Sequence, residues 1–215
     1  MYTFIRKLAL VMTLTIALNS AAAADQPKTL MVFGDSLTAG YGLPRGDAFP
    51  DKLEERLKKE GLSVEVVGQG VSGDTTAGGL RRLDYSLKKK PDYLILALGG
   101  NDMLRAIDPR VTRDNLKKML EILKARKIPV ILAGMRVYGN LGPNIDKAYV
   151  AMFKELAAEY DAILYPFFLD GVVADPALNL DDGIHPNQKG IAIMVERILP
   201  AVSQLLVKKP ASKTE

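Results

Sequence analysis

Past its first two dozen residues the chain alternates two kinds of apolar pattern. Short, mostly apolar runs stand at 29–33 (TLMVF), 63–68 (SVEVVG), 93–98 (YLILAL), 129–133 (PVILA) and 162–165 (AILY). Runs of this length predict parallel strands buried on both faces. Between and after them apolar residues recur at helical spacing, predicting helices over 49–60, 76–89, 111–126, 145–160 and 188–206. Gly61 stands where the first helix must stop, and Pro186 and Asn187 stand ahead of the last. Lys58, Lys59 and Lys88 to Lys90 fall in last helical turns, where positive charge suits the helix dipole, so they read as solvated surface.

Five strand–helix repeats imply right-handed crossovers and helices on both faces of one parallel sheet. The fold class is α/β: a three-layer α/β/α sandwich with a flavodoxin-like five-stranded sheet. No linker, repeat or low-complexity segment divides it, so one domain is expected over 25–207. Residues 208–215 (KKPASKTE) are expected to form a disordered tail. In an open sheet of this kind ligands bind beyond the carboxyl ends of the strands. A motif that follows a strand therefore counts for more than one that does not.

The first 24 residues follow another rule. Arg6 and Lys7 precede an apolar stretch at 8–18, and Ala21 to Ala24 follow it, the layout of a cleavable signal peptide. Its apolar stretch falls short of the ~20 residues that span a bilayer. Cleavage near Ala24 would leave a periplasmic or secreted protein with no stable membrane anchor, expected to be a monomer. Of the net charge of +4, half lies in this segment, which leaves no electrostatic footprint for nucleic acid. The chain has no cysteine, which excludes thiol nucleophiles, disulfides and thiolate metal sites. Its one histidine argues against multi-histidine metal cages. Otherwise, 48% hydrophobic and 25% charged residues describe an ordinary globular protein.

Four motifs follow strands. FGDSLTAG places Ser36 three residues past Phe33, and alone it reads more readily as a turn with a helix N-cap. Neither Ser36 nor Ser72 sits in a G-x-S-x-G elbow, which disfavours the usual α/β-hydrolase. In GQGVSGDTT, the small residues Gly70, Ser72 and Gly73 let backbone N–H groups approach an oxyanion, or simply form a loop. In LGGNDM, Asn101 offers a side-chain amide, although Asn-Asp is also an ordinary turn pair. DDGIHP holds the only histidine, with Asp182 and His185 at i and i+3 in a segment that Gly183 and Pro186 keep out of a helix. That turn lets a carboxylate fix one ring nitrogen while the other faces outward, as a general base requires. A lone histidine is more often incidental, so its weight comes from the set.

Taken together and in order, FGDSLTAG, SGDTT, GGND and DDGIHP resemble the four blocks of the GDSL or SGNH hydrolases, a family of serine esterases and lipases. The likeness runs from about Leu30 to Leu206. SGDTT, ALGGNDMLR, YPFFLDGV and LDDGIHPNQKG are most similar to the exported bacterial arylesterases and the thioesterase/lysophospholipases of that family. The resemblance implies Ser36 as nucleophile, His185 as base, Asp182 rather than Asp181 as its support, and Ser36, Gly73 and Asn101 as oxyanion donors. It implies no metal or organic cofactor and a small-molecule ester as substrate. Apolar residues after the third strand (Met103, Leu104, Ile107) and the fourth (Met135, Val137, Tyr138, Leu141) are candidates for an acyl or aryl groove. Phe167 and Phe168 either join it or cap the core, and Arg136 is a candidate for an anionic head group. Two other readings stand beside ester hydrolysis of broad scope. One is removal of acetyl groups from carbohydrate, for which the chain lacks the tryptophan that would stack on sugars; the other is a non-catalytic flavodoxin-like binding module.

Overall fold

A computed structural model describes residues 27–136 and 143–208. In chain order its elements are β1 (Lys28–Gly34), α1 (Ser36–Ala39), α2 (Phe49–Lys59), β2 (Val64–Gly70), α3 (Thr76–Ser86), β3 (Tyr93–Ala97), α4 (Gly100–Leu104), α5 (Pro109–Ala125), β4 (Val130–Ala133), α6 (Pro143–Glu159), β5 (Ile163–Tyr165) and α7 (Gln188–Leu206). The strands form one parallel sheet in the order β2-β1-β3-β4-β5. The chain steps outward from β1 to β2, then returns to the other side of β1 for β3. The crevice at that reversal is where doubly wound sheets bind their ligands.

The inner strands β1, β3 and β4 are buried on both faces as expected, whereas the edge strands β2 and β5, each with a neighbour on one side alone, are only part-buried. Leu30 to Phe33 of β1 and Leu94 to Ala97 of β3 have no exposed surface. Helices α2 and α7 pack together on one side, and α3, α5 and α6 on the other. Each presents one stripe to the core: Phe49, Leu53 and Leu57 in α2, and Leu116, Met119, Leu120 and Leu123 in α5. Helix α2 stops at Gly61, whose φ of +77° lets Gly61 and Leu62 donate back to the carbonyls of Lys58 and Leu57, each at 3.0 Å.

The five-stranded plan and the order of long helices match the sequence reading. Differences lie at the edges. The helix expected over 76–89 is α-helical to Ser86 and tightens into a 3₁₀ turn over Leu87–Lys89. Helices α1 and α4 have no counterpart in the periodicity, because a single turn is too short to show one. Lys208, assigned to the tail, is held by its ammonium on the carbonyl and carboxylate of Asp161, at 2.9 and 3.0 Å. Residues 1–26 and 209–215 lie outside the described residues.

The ends of β2, β1 and β3 are level and carry no side chain larger than a methyl. Gly34 stands beside Gly70 on one side and Ala97 on the other. A Cβ on Gly70 would lie 2.4 Å from the Ala39 nitrogen, and one on Gly34 would lie 2.6 Å from the Ala97 carbonyl oxygen. Helix α1 can therefore close on the sheet only because these positions carry hydrogen. Replacing Gly70 with alanine is expected to push α1 off the strand ends at a stability cost of about 1–3 kcal/mol. Denaturant midpoints measure it, and an unchanged midpoint would contradict this close approach.

Candidate active site

Directly after β1, Asp35 caps α1 by accepting the Leu37 N–H at 3.0 Å, which makes Ser36 the first helical residue. The Ser36 hydroxyl oxygen lies 2.9 Å from Nε2 of His185. On the other side of the ring, Nδ1 lies 2.6 Å from Oδ2 of Asp182. Oδ1 of Asp182 accepts the backbone N–H groups of Ile184 and His185, both at 2.9 Å. Burial works to raise the Asp182 carboxyl, but those two N–H groups and the ring outweigh it and hold it at about 2. Asp181 is exposed and makes no bond to the ring.

This histidine loop is braced on both sides. Leu180 donates to the His185 carbonyl at 2.7 Å, and Asn179 pairs with Pro186 in an antiparallel bridge. The Asn187 side chain caps α7 through the N–H groups of Lys189 and Gly190, while its amide donates to the carbonyls of Ala177 and Asn179. Gly183, at φ +66°, supplies the turn between Asp182 and His185. The ring of Tyr41 lies over that of His185 with centroids 4.4 Å apart.

The loops after β2 and β3 bring Gly73 and Asn101 to the same crevice. Among the described residues the backbone N–H groups of Ser36 and Gly73 meet no protein acceptor. One N–H of the Asn101 amide lies 3.3 Å from Oδ2 of Asp35. Asp35 is 1% exposed, and burial pushes its carboxyl up to about 6 against the opposing pull of the Leu37 N–H, the Asn101 amide and His185. Next to Asn101, the fully buried Asp102 accepts the backbone N–H and hydroxyl of Thr76 and, at 3.3 Å, the hydroxyl of Thr112. One carboxylate thereby ties α4 to the starts of α3 and α5.

Serine, histidine, Gly73 and Asn101 open into a cleft of about 540 Å³ with mostly apolar walls. Of the residues proposed from sequence for the groove, Met103, Leu104, Met135 and Phe167 line it, as does Arg136, which pairs with Asp146 at 2.8 Å. Ile107 does not. Phe168 points the other way, buried and edge-on to Phe49 at 5.0 Å, so it caps the core. Val137, Tyr138 and Leu141 lie outside the described residues. Sequence reasoning missed Tyr41, Leu169 and Val173 as walls; none carries a motif, and only the path of the loops brings them in. It also missed Asp35 as the partner of Asn101. Among the described residues no group of three or more His, Asp or Glu side chains is placed to hold a metal.

Comparison with known proteins agrees with this architecture. Residues 32–193 match the model of the GDSL-like lipase/acylhydrolase family. The chain is 36% identical over 189 residues to an arylesterase of Vibrio mimicus, covering 87% of this chain and 92% of that one. It is 39% identical over 169 residues to thioesterase 1/protease 1/lysophospholipase L1 of Escherichia coli, covering 78% of each. The crystal structure of TesA superposes with a TM-score of 0.80 at 36% identity, over 83% of this chain and 99% of that one. With the matched segment running from β1 into α7 and enclosing the whole crevice, the chain belongs to the GDSL-like lipase/acylhydrolase family.

Proposed function

We propose that this protein is an exported, monomeric serine ester hydrolase, with a mature domain at 25–207. The observation that carries the reading is the continuous relay from the Ser36 hydroxyl through His185 to Asp182 at 2.9 and 2.6 Å, beside two unengaged backbone N–H groups. His185 Nε2 takes the hydroxyl proton as the Ser36 oxygen attacks the ester carbonyl. The carbonyl oxygen becomes an oxyanion, received by the N–H groups of Ser36 and Gly73 and the Asn101 amide. As the tetrahedral species collapses, the C–O bond to the alcohol breaks and His185 returns the proton to the leaving oxygen. Water then repeats the sequence on the acyl-serine, releasing the carboxylic acid and restoring the hydroxyl.

Asp182 keeps Nδ1 protonated and Nε2 free to accept, and it stabilises the imidazolium that forms. With its carboxyl held at about 2, it stays ionised in any mildly acidic medium. The apolar walls of Met103, Leu104, Met135 and Phe167 suit aryl and short-to-medium acyl esters, lysophospholipids and thioesters. The names borne by the similar proteins, arylesterase and thioesterase/lysophospholipase, support that range.

A fluorophosphonate is expected to label Ser36, as located by mass spectrometry of the adduct. Ser36→Ala is expected to lose at least about a thousandfold in p-nitrophenyl ester hydrolysis. A wild-type protein that takes no label would sink the reading. Asn101→Ala is expected to lower kcat by roughly a hundred- to a thousandfold with little change in KM.

Asp35 provides a test by titration. Its carboxyl stands near 6 in the fold against 3.8 ordinarily, so the folded protein holds a proton that the unfolded chain has released. Stability therefore falls as pH rises through that interval, and the loss is complete above it. Asp35→Asn lacks this penalty. Relative to wild type its unfolding free energy is expected to rise by on the order of 2 kcal/mol between about pH 4 and about pH 7. Denaturant melts at the two pH values measure the difference, and a constant offset would contradict it.

A further inference from the structure

The Gly73 loop is made of small and polar residues, a composition that moves freely unless it is tied down. Two arginines that the reaction scheme leaves unused tie it from opposite flanks. Arg82, on α3, lies over the ring of Phe33 with its guanidinium carbon 3.9 Å from the centroid. Its fork serves three acceptors: Nη2 reaches the Gly34 carbonyl at 2.8 Å, Nη1 the Gln69 carbonyl at 2.9 Å, and Nε the Asp74 carboxylate at 2.7 Å. The first acceptor ends β1 two residues before Ser36, the second lies at the end of β2, and the third follows Gly73 directly. From the far side Arg105, just past α4, donates Nη2 to the Gly73 carbonyl at 2.7 Å.

Asp74 is itself confined. It lies against the first turn of α3, where a Cβ on Gly78 would come within 1.8 Å of its Oδ1. Neither arginine lines the cleft, so neither is placed to touch substrate. What they hold between them is the Gly73–Asp74 step, Arg105 at the Gly73 carbonyl and Arg82 at the Asp74 carboxylate. A donor for a transient anion is effective only if it is aimed before the charge develops, because a misplacement of about 1 Å can cost a hundredfold in rate.

We propose that Arg82 and Arg105 are positioning residues that hold the Gly73 amide in register with Ser36 ahead of oxyanion formation. Arg82 does so by fastening the strand end that carries Ser36 and the residue after Gly73 to one rigid guanidinium; Arg105 does so by fixing the Gly73 carbonyl. The proposal rests on the reading of Ser36 as nucleophile and Gly73 as donor.

Four variants test it: Arg82→Lys, Asp74→Asn, Gly78→Ala and Arg105→Ala. Lysine cannot reproduce the three-way fork. Gly78→Ala displaces Asp74 while leaving both charged partners in the chain, and Arg105 is exposed, so its loss leaves the core untouched. Each variant is expected to lower kcat on a p-nitrophenyl ester roughly tenfold to a hundredfold with KM within about threefold. Affinity for an aryl boronic acid, which forms a tetrahedral anion on the serine, is expected to weaken by a similar factor. Folding is checked by circular dichroism melts, and the two milder variants keep the test open should Arg82→Lys fail to fold. Unchanged kcat in folded Gly78→Ala and Arg105→Ala overturns the proposal, as does a change confined to KM. A wild-type protein that hydrolyses no ester and takes no fluorophosphonate on Ser36 overturns the serine-hydrolase reading instead, and this proposal with it.

Discussion

The register that sets Gly34 beside Gly70 and Ala97 governs where every group of the site can stand. Because the three strands end level, the loops that follow them leave the sheet from one plane and toward one crevice. Because those ends carry hydrogen or methyl, α1 seats directly on them and Ser36 is lifted only one residue beyond the cap at Asp35. A bulkier residue at either glycine would meet backbone or the Thr38 side chain packed against it, neither of which has room to yield. The site is thus a consequence of how the sheet stops.

Charge inside the crevice is arranged in two layers. Near the surface, Asp182 is ionised and committed, with one oxygen on two backbone N–H groups and the other on the ring. Deeper, Asp35 and Asp102 are buried carboxyls held by hydrogen bonds. Asp35 spans the Leu37 N–H and the Asn101 amide, and Asp102 spans three elements. Such buried polar groups are tolerated because they are bonded, and being bonded they fix the loops that bear the donors.

The sheet and the long helices were legible in the sequence because burial on two faces leaves unbroken apolar runs and burial on one leaves a stripe. TLMVF and YLILAL could hardly be anything else. The histidine turn was legible for a chemical reason: Gly183 admits the left-handed backbone the turn needs and Pro186 keeps the segment out of a helix, so the i, i+3 spacing lets Asp182 reach the ring. What stayed hidden depends on direction rather than identity. Phe167 and Phe168 are neighbours of one type, yet one faces the cleft and the other the core. Asp35 stands inside FGDSLTAG, yet nothing in that run shows that its carboxylate turns onto Asn101. Arg82 follows Arg81 in α3, and no local pattern separates the two. Tyr41 reaches His185 only through a fold that closes a gap of more than half the chain.

That gap carries a consequence for biosynthesis. Ser36 and His185 are 149 positions apart, and the histidine turn is moored to the first turn of α7, the last helix of the described fold. Until α7 docks against α2, the Ser36 hydroxyl has no imidazole beside it. Long-range closure of this kind comes late, since the entropy of bringing distant segments together must be met before their contacts form. A chain that lacks α7 therefore also lacks the contact between the Ser36 hydroxyl and the His185 ring, which arrives only with the last piece of tertiary structure.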